Sequence, residues 1–524
     1  MIVSHLGIPM DWRSYSNLLA WLSLAFSASA LLLLLKCRQS RHHHNHSPPG
    51  PPAWPIFGNI FDLGTIPHRN LYKFRYKYGP VLWLRLGFTN TLVIQSARAA
   101  EELFKNHDIS FCDRKVPDCC TAHNYDQGAV SLGRYGSIWR FHRRLITLDL
   151  MTNKRIKESA FLRIKCINSM IQYIEEDTAA ARARGELGEV VIAHYLFVMT
   201  FNLIGNLVLS QDLANSQSNE GLEFSHAMDK ITVLSGKPNA TDLWPFLKMF
   251  DPQRIKRDME REMGKALRVV EGFVRERIEE RKLEKERSKK DFLDALLEFE
   301  SDEEAGPDKI SIQTMFIIIL EIFFAGTETT SSTMEWAMTE LLRCPESIKR
   351  VKEELKRVVG QKRKVEESDI DQLPYLQAVL KETMRLHPTL PLLIPRNSLE
   401  DTNFMGYLIP KDTQVFVNVW AIGRDPESWQ DPNSFKPERF LESDIDYRGK
   451  NFEYLPFGSG RRICAGILLA QRVLHLGLAS LLHCFDWELS SNYTPDSIDM
   501  KEKMGMAVRK LVPLKAIPKK RMRE

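Results

Sequence analysis

The residues with the clearest capacity for chemistry sit close together near the C-terminal end, in Phe457-Gly458-Ser459-Gly460-Arg461-Arg462-Ile463-Cys464-Ala465-Gly466. Two glycines mark a tight loop, two arginines stand beside one cysteine, and the apolar run Ile467 to Ala470 reads as the start of a helix. A cysteine near a helix N-terminus and beside guanidinium groups is expected to have a lowered pKa and to favour thiolate. A thiolate is the soft ligand that an iron centre takes. The alternative for an arbitrary cysteine is a structural role in a glycine turn.

Three other constellations invite the same question. Ala325-Gly326-Thr327-Glu328-Thr329-Thr330 lies inside a long apolar segment. Glycine within a helix costs ~1 kcal/mol, so it needs a reason. Either this is a helix that happens to be rich in threonine, or a turn opened for a small ligand with the acid–alcohol pair Glu328 and Thr329 beside it. Glu382 and Arg385 stand at i and i+3, neighbours on one helix face. Trp139 and Arg143 lie four apart on one helix face, and Arg396 follows Leu393-Ile394-Pro395. The planar arginine fork suits carboxylates. Singly, each of these arginines reads as a surface residue.

The elements that must position these groups are mostly helical. A long helix is predicted from about Ser311 to the boundary Cys344-Pro345, with Met315 to Phe324 apolar except for Glu321. That apolar stretch is too short to span a membrane and fits a buried central helix. Met263, Leu267, Val270, Val274 and Ile278 recur at helical spacing and predict an amphipathic helix with a solvated charged face. An acidic surface loop, 301–307, follows it. Val81 to Leu86 and Thr91 to Ile94 read as strands. At the N-terminus, Asn17 to Leu35 is uncharged over 19 residues and is followed by Lys36, Arg38 and Arg41. It reads as an uncleaved transmembrane anchor with the rest of the chain in the cytosol. A cleaved signal peptide is the alternative. Prolines at 48, 49, 51, 52 and 55 then predict a semi-rigid spacer. The expected organisation is a short lumenal N-terminus (1–16), the anchor (17–35), a basic and proline-rich hinge (36–58) and one catalytic domain (59–524).

The loop around Cys464 matches FxxGxRxCxG at all five fixed positions, from Phe457 to Gly466, and resembles the haem-binding signature of the cytochrome P-450 family. Ala325 to Thr330 resembles that family's oxygen-activation motif, Trp139 and Arg143 its WxxxR, and Phe435 to Phe440 its PERF segment. The resemblance runs from the proline hinge to Pro513. It looks most like the plant microsomal type, and DRKVPD, YGSIWRFHRR and AGTETTSST look closest to the geraniol-hydroxylase and iridoid-oxidase branch.

The resemblance implies a mainly α cytochrome P-450 fold with a minor β part, preceded by one transmembrane helix. It implies haem b with Cys464 as the axial iron ligand, and Trp139, Arg143, Arg396, Arg462, Phe457 and Gly458 as haem contacts. Glu328 and Thr329 would relay protons during oxygen activation. Glu382, Arg385 and Arg439 would form a buried ion network behind the haem. It further implies NADPH electrons from a membrane-bound reductase, with cytochrome b5 as a second donor, at the endoplasmic reticulum. The substrate-facing segments would be Val116 to Tyr125, Phe316 to Thr329, Thr389 to Leu393 and Gly505 to Ala507. Their apolar character points to a lipophilic small molecule, and the branch resembled implies a monoterpenoid or iridoid; phenolics, flavonoids or other terpenoids are alternatives.

Composition bounds the rival readings. The 524 residues are 44% hydrophobic and 27% charged, enough for a large core. A net charge of +5 gives no case for nucleic acid. Eight cysteines without a CxxC pair give no zinc ribbon or dithiol site. No GxGxxG fingerprint is present, so electrons must come from another protein. Two rivals to an oxygen-inserting enzyme are an oxygen-independent isomerase or dehydratase of the same family and a haem-binding scaffold without turnover. The intact Glu328-Thr329 pair argues against both.

Overall fold

The computed structural model describes residues 47–214, 219–283, 290–300, 310–490 and 493–521, together with Ser23. The expected anchor (Ser23 apart), the segment before it, the basic residues 36–46 and the acidic loop 301–307 lie outside the described residues.

The central helix runs Ile312–Arg343. It begins where Ser311 Oγ accepts the Thr314 N–H at 3.1 Å, an ordinary N-cap. It ends as Pro345 opens the next helix, Pro345–Val358, because proline cannot continue a helix but suits its first turn. The helices Ile192–Leu209 and Ile467–Cys484 pack against it. Among the described residues these three are long and apolar enough to cross a membrane. Each instead buries its apolar residues in the main core, which Ile319, Phe323, Leu196 and Leu478 help to fill. The amphipathic helix is Ile255–Lys282. Met263, Val270 and Val274 are fully buried, while Leu267 and Ile278 lie at the margin of its apolar stripe.

A smaller sheet forms beside this helical body. β1 (Val81–Leu86) and β2 (Thr89–Ile94) make an antiparallel hairpin with Val81 opposite Ile94. β3 (Arg396–Asn397) and β4 (Gln414–Val417) complete it in the order β1-β2-β4-β3, with β4 parallel to β2. Within the proline-rich stretch, residues 48–52 run beside the sheet. The Trp83 N–H donates to the Pro49 carbonyl at 2.9 Å. Gly50 permits this approach, since a Cβ there would lie 1.9 Å from the Trp83 carbonyl oxygen. Proline loses its donor but keeps its acceptor, and here the acceptor pairs with the edge of the sheet.

Candidate active site

The cysteine loop is closed by its own backbone. The Cys464 N–H donates to the Phe457 carbonyl at 3.0 Å, and the Gly458 N–H to the Leu455 carbonyl at 3.0 Å. Gly458 and Gly460 have φ of 70° and 68°, the left-handed region that glycine occupies without strain. Gly460 is also needed sterically, because a Cβ would come within 2.3 Å of Asp108 Oδ1. Phe457 stacks edge-on against Tyr447 at 5.5 Å. The helix Ile467–Cys484 starts three residues after the cysteine.

Around this loop the expected arginines converge. Arg396, from β3, is buried and donates to Asp108 Oδ1 and to the Ser459 carbonyl, both at 2.9 Å. Arg143, from the helix Ser137–Arg144, donates to the Ile463 carbonyl beside the cysteine. Arg462 donates to the carbonyls of Cys112, Val130 and Gly133 at 2.8, 3.0 and 2.8 Å. Its guanidinium lies 3.9 Å over the Trp139 ring, and Trp139 Nε1 donates to the same Val130 carbonyl at 2.9 Å.

The electrostatics of Cys464 differ from the sequence expectation. Burial pushes its thiol up, against smaller downward pulls from the Gly466 N–H and the charge of Arg143. The adjacent arginines do not serve it, because Arg461 turns to Asp108 at 3.0 Å and Arg462 to the three carbonyls. A thiolate at this place therefore calls for a metal's positive charge, which deprotonates a coordinating thiol outright.

The residues fit a haem. Cys464 lies deep in the protein yet has accessible surface, and so does Ala325 in the middle of the central helix. Both therefore border internal space. Burial pushes the Arg462 guanidinium down to about 10. Among the described residues neither Arg462 nor Arg143 has a carboxylate partner within ion-pair distance. Largely desolvated cations that meet carbonyls and a ring but no carboxylate suit an anionic group such as a propionate.

The oxygen-activation segment is an unbroken helix rather than an opened turn. Gly326 faces the crossing helix, where a Cβ would lie 2.8 Å from the tip of the Ile204 side chain, Cδ1. Thr329 Oγ1 donates to the Ala325 carbonyl at 2.6 Å. Glu328 lies one residue round the helix and is not hydrogen-bonded to Thr329. Its Oε1 is 3.5 Å from Arg509, while Oε2 has no hydrogen-bond partner among the described residues. Burial pushes the Glu328 carboxyl up; Arg509 and Lys503 pull it down, and Asp229 opposes them.

Glu382, Arg385 and Arg439 do come together. Arg385 Nε and Nη2 bind Glu382 bidentately at 2.7 Å each, and Arg439 Nε donates to Oε1 at 3.1 Å. Chain within or next to the segments expected to face substrate also packs on the central helix. Gln313 Nε2 donates to the His123 carbonyl at 3.3 Å, Ser332 Oγ to the Val508 carbonyl at 2.9 Å, and the Val508 N–H to the Thr389 carbonyl at 2.8 Å.

Asp108 was not foreseen. It ties Arg396 and Arg461 to one carboxylate, and no local pattern in Asn106-His107-Asp108 marks it. Glu321 did carry a signal, as the one acid in an apolar run.

A sequence model described as Cytochrome P450 matches residues 48–515. The chain belongs to the cytochrome P450 family and is a P450 monooxygenase, a class whose cofactor is haem. It is 53% identical over 501 residues to an iridoid oxidase of Catharanthus roseus, covering 95% of this chain and 97% of that one. It is 40% identical to a geraniol 8-hydroxylase of the same species, over 90% and 93% of the two chains. A zebrafish cytochrome P450 solved with progesterone superposes with a TM-score of 0.71 at 27% identity, over 87% of this chain and 99% of that one.

Proposed function

We propose that this monooxygenase inserts one oxygen atom into a lipophilic monoterpenoid or iridoid, with haem held by Cys464 and with electrons passed from NADPH by a membrane-bound reductase, cytochrome b5 serving as a second donor. The observation that carries the site assignment is that Arg143 and Arg396 donate to the backbone of one cysteine loop, while Arg462 of that loop reaches out to the carbonyls of Cys112, Val130 and Gly133. Bound haem would supply the activation of dioxygen and the oxidation of the substrate carbon. Cys464 would hold the iron, and Arg143, Arg396, Arg462 and Trp139 would hold the propionate edge, with Phe457 and Gly458 shaping the loop. Thr329 would present a hydroxyl at the internal space, and Glu328, one residue round the helix, would present a carboxyl towards Arg509 and Asp229. The catalytic domain is taken as 59–524.

Placement at the endoplasmic reticulum membrane, with the catalytic domain in the cytosol, is supported by two features. One is the apolar run 17–35 followed by basic residues. The other is an exposed apolar patch just past the proline segment: Trp54, Phe57 and Phe61 are 61%, 43% and 65% exposed, and Phe246, Met249 and Phe250 are 64%, 90% and 66% exposed. Phe57 packs on Trp244 at 5.7 Å, which joins the two groups into one surface. The named activities of the plant relatives support the substrate class.

The test is expression in yeast microsomes with a plant reductase, a panel of monoterpenoids and iridoids, and mass spectrometry of products. An oxygenated product that requires NADPH and dioxygen is expected. A product formed without NADPH would overturn the oxygen-inserting reading, and no turnover of any panel member would overturn the substrate class.

A further inference from the structure

Glu321 is buried in the central helix, 5% exposed. Glu321, Ala325 and Thr329 fall four apart, so they form one row on the face that meets the internal space. Its carboxylate takes two successive amides of a neighbouring loop: the Val130 N–H donates to Oε2 at 2.7 Å and the Ser131 N–H to Oε1 at 2.6 Å. Burial pushes the carboxyl up, and these hydrogen bonds and the charge of Arg143 pull it down.

The carbonyls of that loop lead to the cysteine side of the site. The Val130 carbonyl accepts from Trp139 Nε1 at 2.9 Å and Arg462 Nη1 at 3.0 Å, and the Gly133 carbonyl from Arg462 Nη2 at 2.8 Å. The Ser131 carbonyl accepts from Arg114 Nε at 2.9 Å. Arg114 in turn donates to the Ile394 and Pro395 carbonyls, next to Arg396. The loop is also pressed onto the helix, since a Cβ on Gly128 would lie 2.9 Å from Ile317 Cδ1. One face of the loop is thus fixed by a carboxylate, and the other supplies the acceptors that orient Trp139 and Arg462.

We propose that Glu321 is a positioning residue: by pinning peptide units 130 and 131 to the central helix, it sets Arg462 and Trp139 against the space above Cys464. The proposal rests on the haem reading given above. A carboxylate is suited to this because it accepts two N–H groups at once, and charge-assisted bonds are the stronger kind. Glu335, equally buried and almost four turns along the same helix, accepts through its carboxylate only the Leu514 N–H among the described residues, at 2.9 Å, and touches none of these groups.

The test uses the full chain purified in detergent, with Glu321→Gln, Glu321→Ala and Glu335→Gln. The wild-type ferrous–CO spectrum is read first; absence of the thiolate-haem band would overturn the haem reading and this proposal with it. Two rates are then compared: haem transfer to excess apomyoglobin, and hydrogen exchange of peptides containing residues 130 and 131. Loss of a charge-assisted acceptor in Glu321→Gln is expected to speed haem transfer about tenfold and to remove exchange protection at 130 and 131. Glu321→Ala should do more, and if it fails to fold, the Gln variant alone decides. Glu335→Gln should leave both rates at wild type. Wild-type haem transfer in Glu321→Gln, or equal acceleration in Glu335→Gln, would overturn the proposal.

Discussion

Glu382 and Glu328 are both buried carboxylates on core helices, and the protein surrounds them in opposite ways. Glu382 is fully enclosed and receives Arg385 twice, Arg439 once and the Lys436 N–H at 2.8 Å. Arg385 is itself satisfied by further carbonyls, Pro432 at 2.7 Å and Ser434 at 3.2 Å. Glu328 has one long ion pair and one oxygen without a hydrogen-bond partner, beside a Thr327 hydroxyl that also lacks one. A satisfied network rigidifies its surroundings, while an unsatisfied buried group carries a standing cost. The contrast suits architecture in the first region and supports the proton handling proposed for the second.

Breaking the first region should have the largest effect. Glu382→Gln leaves Arg385 buried with its charge unpaired, a loss of about 3–5 kcal/mol. The variant should unfold at markedly lower denaturant and accumulate little haem-loaded protein. Wild-type denaturation would show that the network is not what holds this part of the fold.

In the second region, Thr329→Ala should leave folding and the CO spectrum intact. It should instead lower product formed per NADPH consumed, with the lost electrons recovered as hydrogen peroxide or water. Removal of one positioned proton donor slows its step ~10²–10⁴-fold. Thr327→Ala is the control, and its coupling should change far less. Full coupling in Thr329→Ala would return the threonine cluster to ordinary helix packing.

Glu328→Gln should have the smallest effect on stability, and of the opposite sign to Glu382→Gln. Burial holds the Glu328 carboxyl above its ordinary value of 4.5, so the folded state binds its proton more tightly than the unfolded state. Stability is then lost as pH rises from 4.5 through the raised folded value. Glutamine removes that loss, so the variant should match wild type at low pH and melt slightly higher at neutral pH. A lower melting point at neutral pH would mean that the Arg509 contact outweighs desolvation.

The sequence was most legible where a pattern is local. The start of the central helix near Ser311, its apolar run from Met315 to Phe324 and the strand Val81 to Leu86 each rest on residues close together in the chain, and the structure matches them. The cysteine loop was legible because its glycines, arginines and cysteine fall within ten residues. What could not be read depends on distant partners. Asp108 meets Arg396 and Arg461 across 288 and 353 positions. The residues around Gly326 left a plain helix and an opened turn as alternatives, and the crossing helix that carries Ile204 against it lies more than a hundred positions away. The carbonyls that receive Arg462 belong to Cys112, Val130 and Gly133, and a backbone acceptor leaves no mark in a sequence. The lowering of the Cys464 thiol expected from two neighbouring arginines is absent for a related reason: burial by the whole fold pushes the thiol up, and those arginines point elsewhere.

The most direct measurement is the ferrous–CO difference spectrum of wild type beside Cys464→Ala. Wild type should give the red-shifted Soret band of thiolate-ligated haem. Cys464→Ala should lose that band or fail to retain haem, while substitutions at Cys112, Cys119 and Cys120 should keep it. A normal red-shifted band in Cys464→Ala would contradict the account.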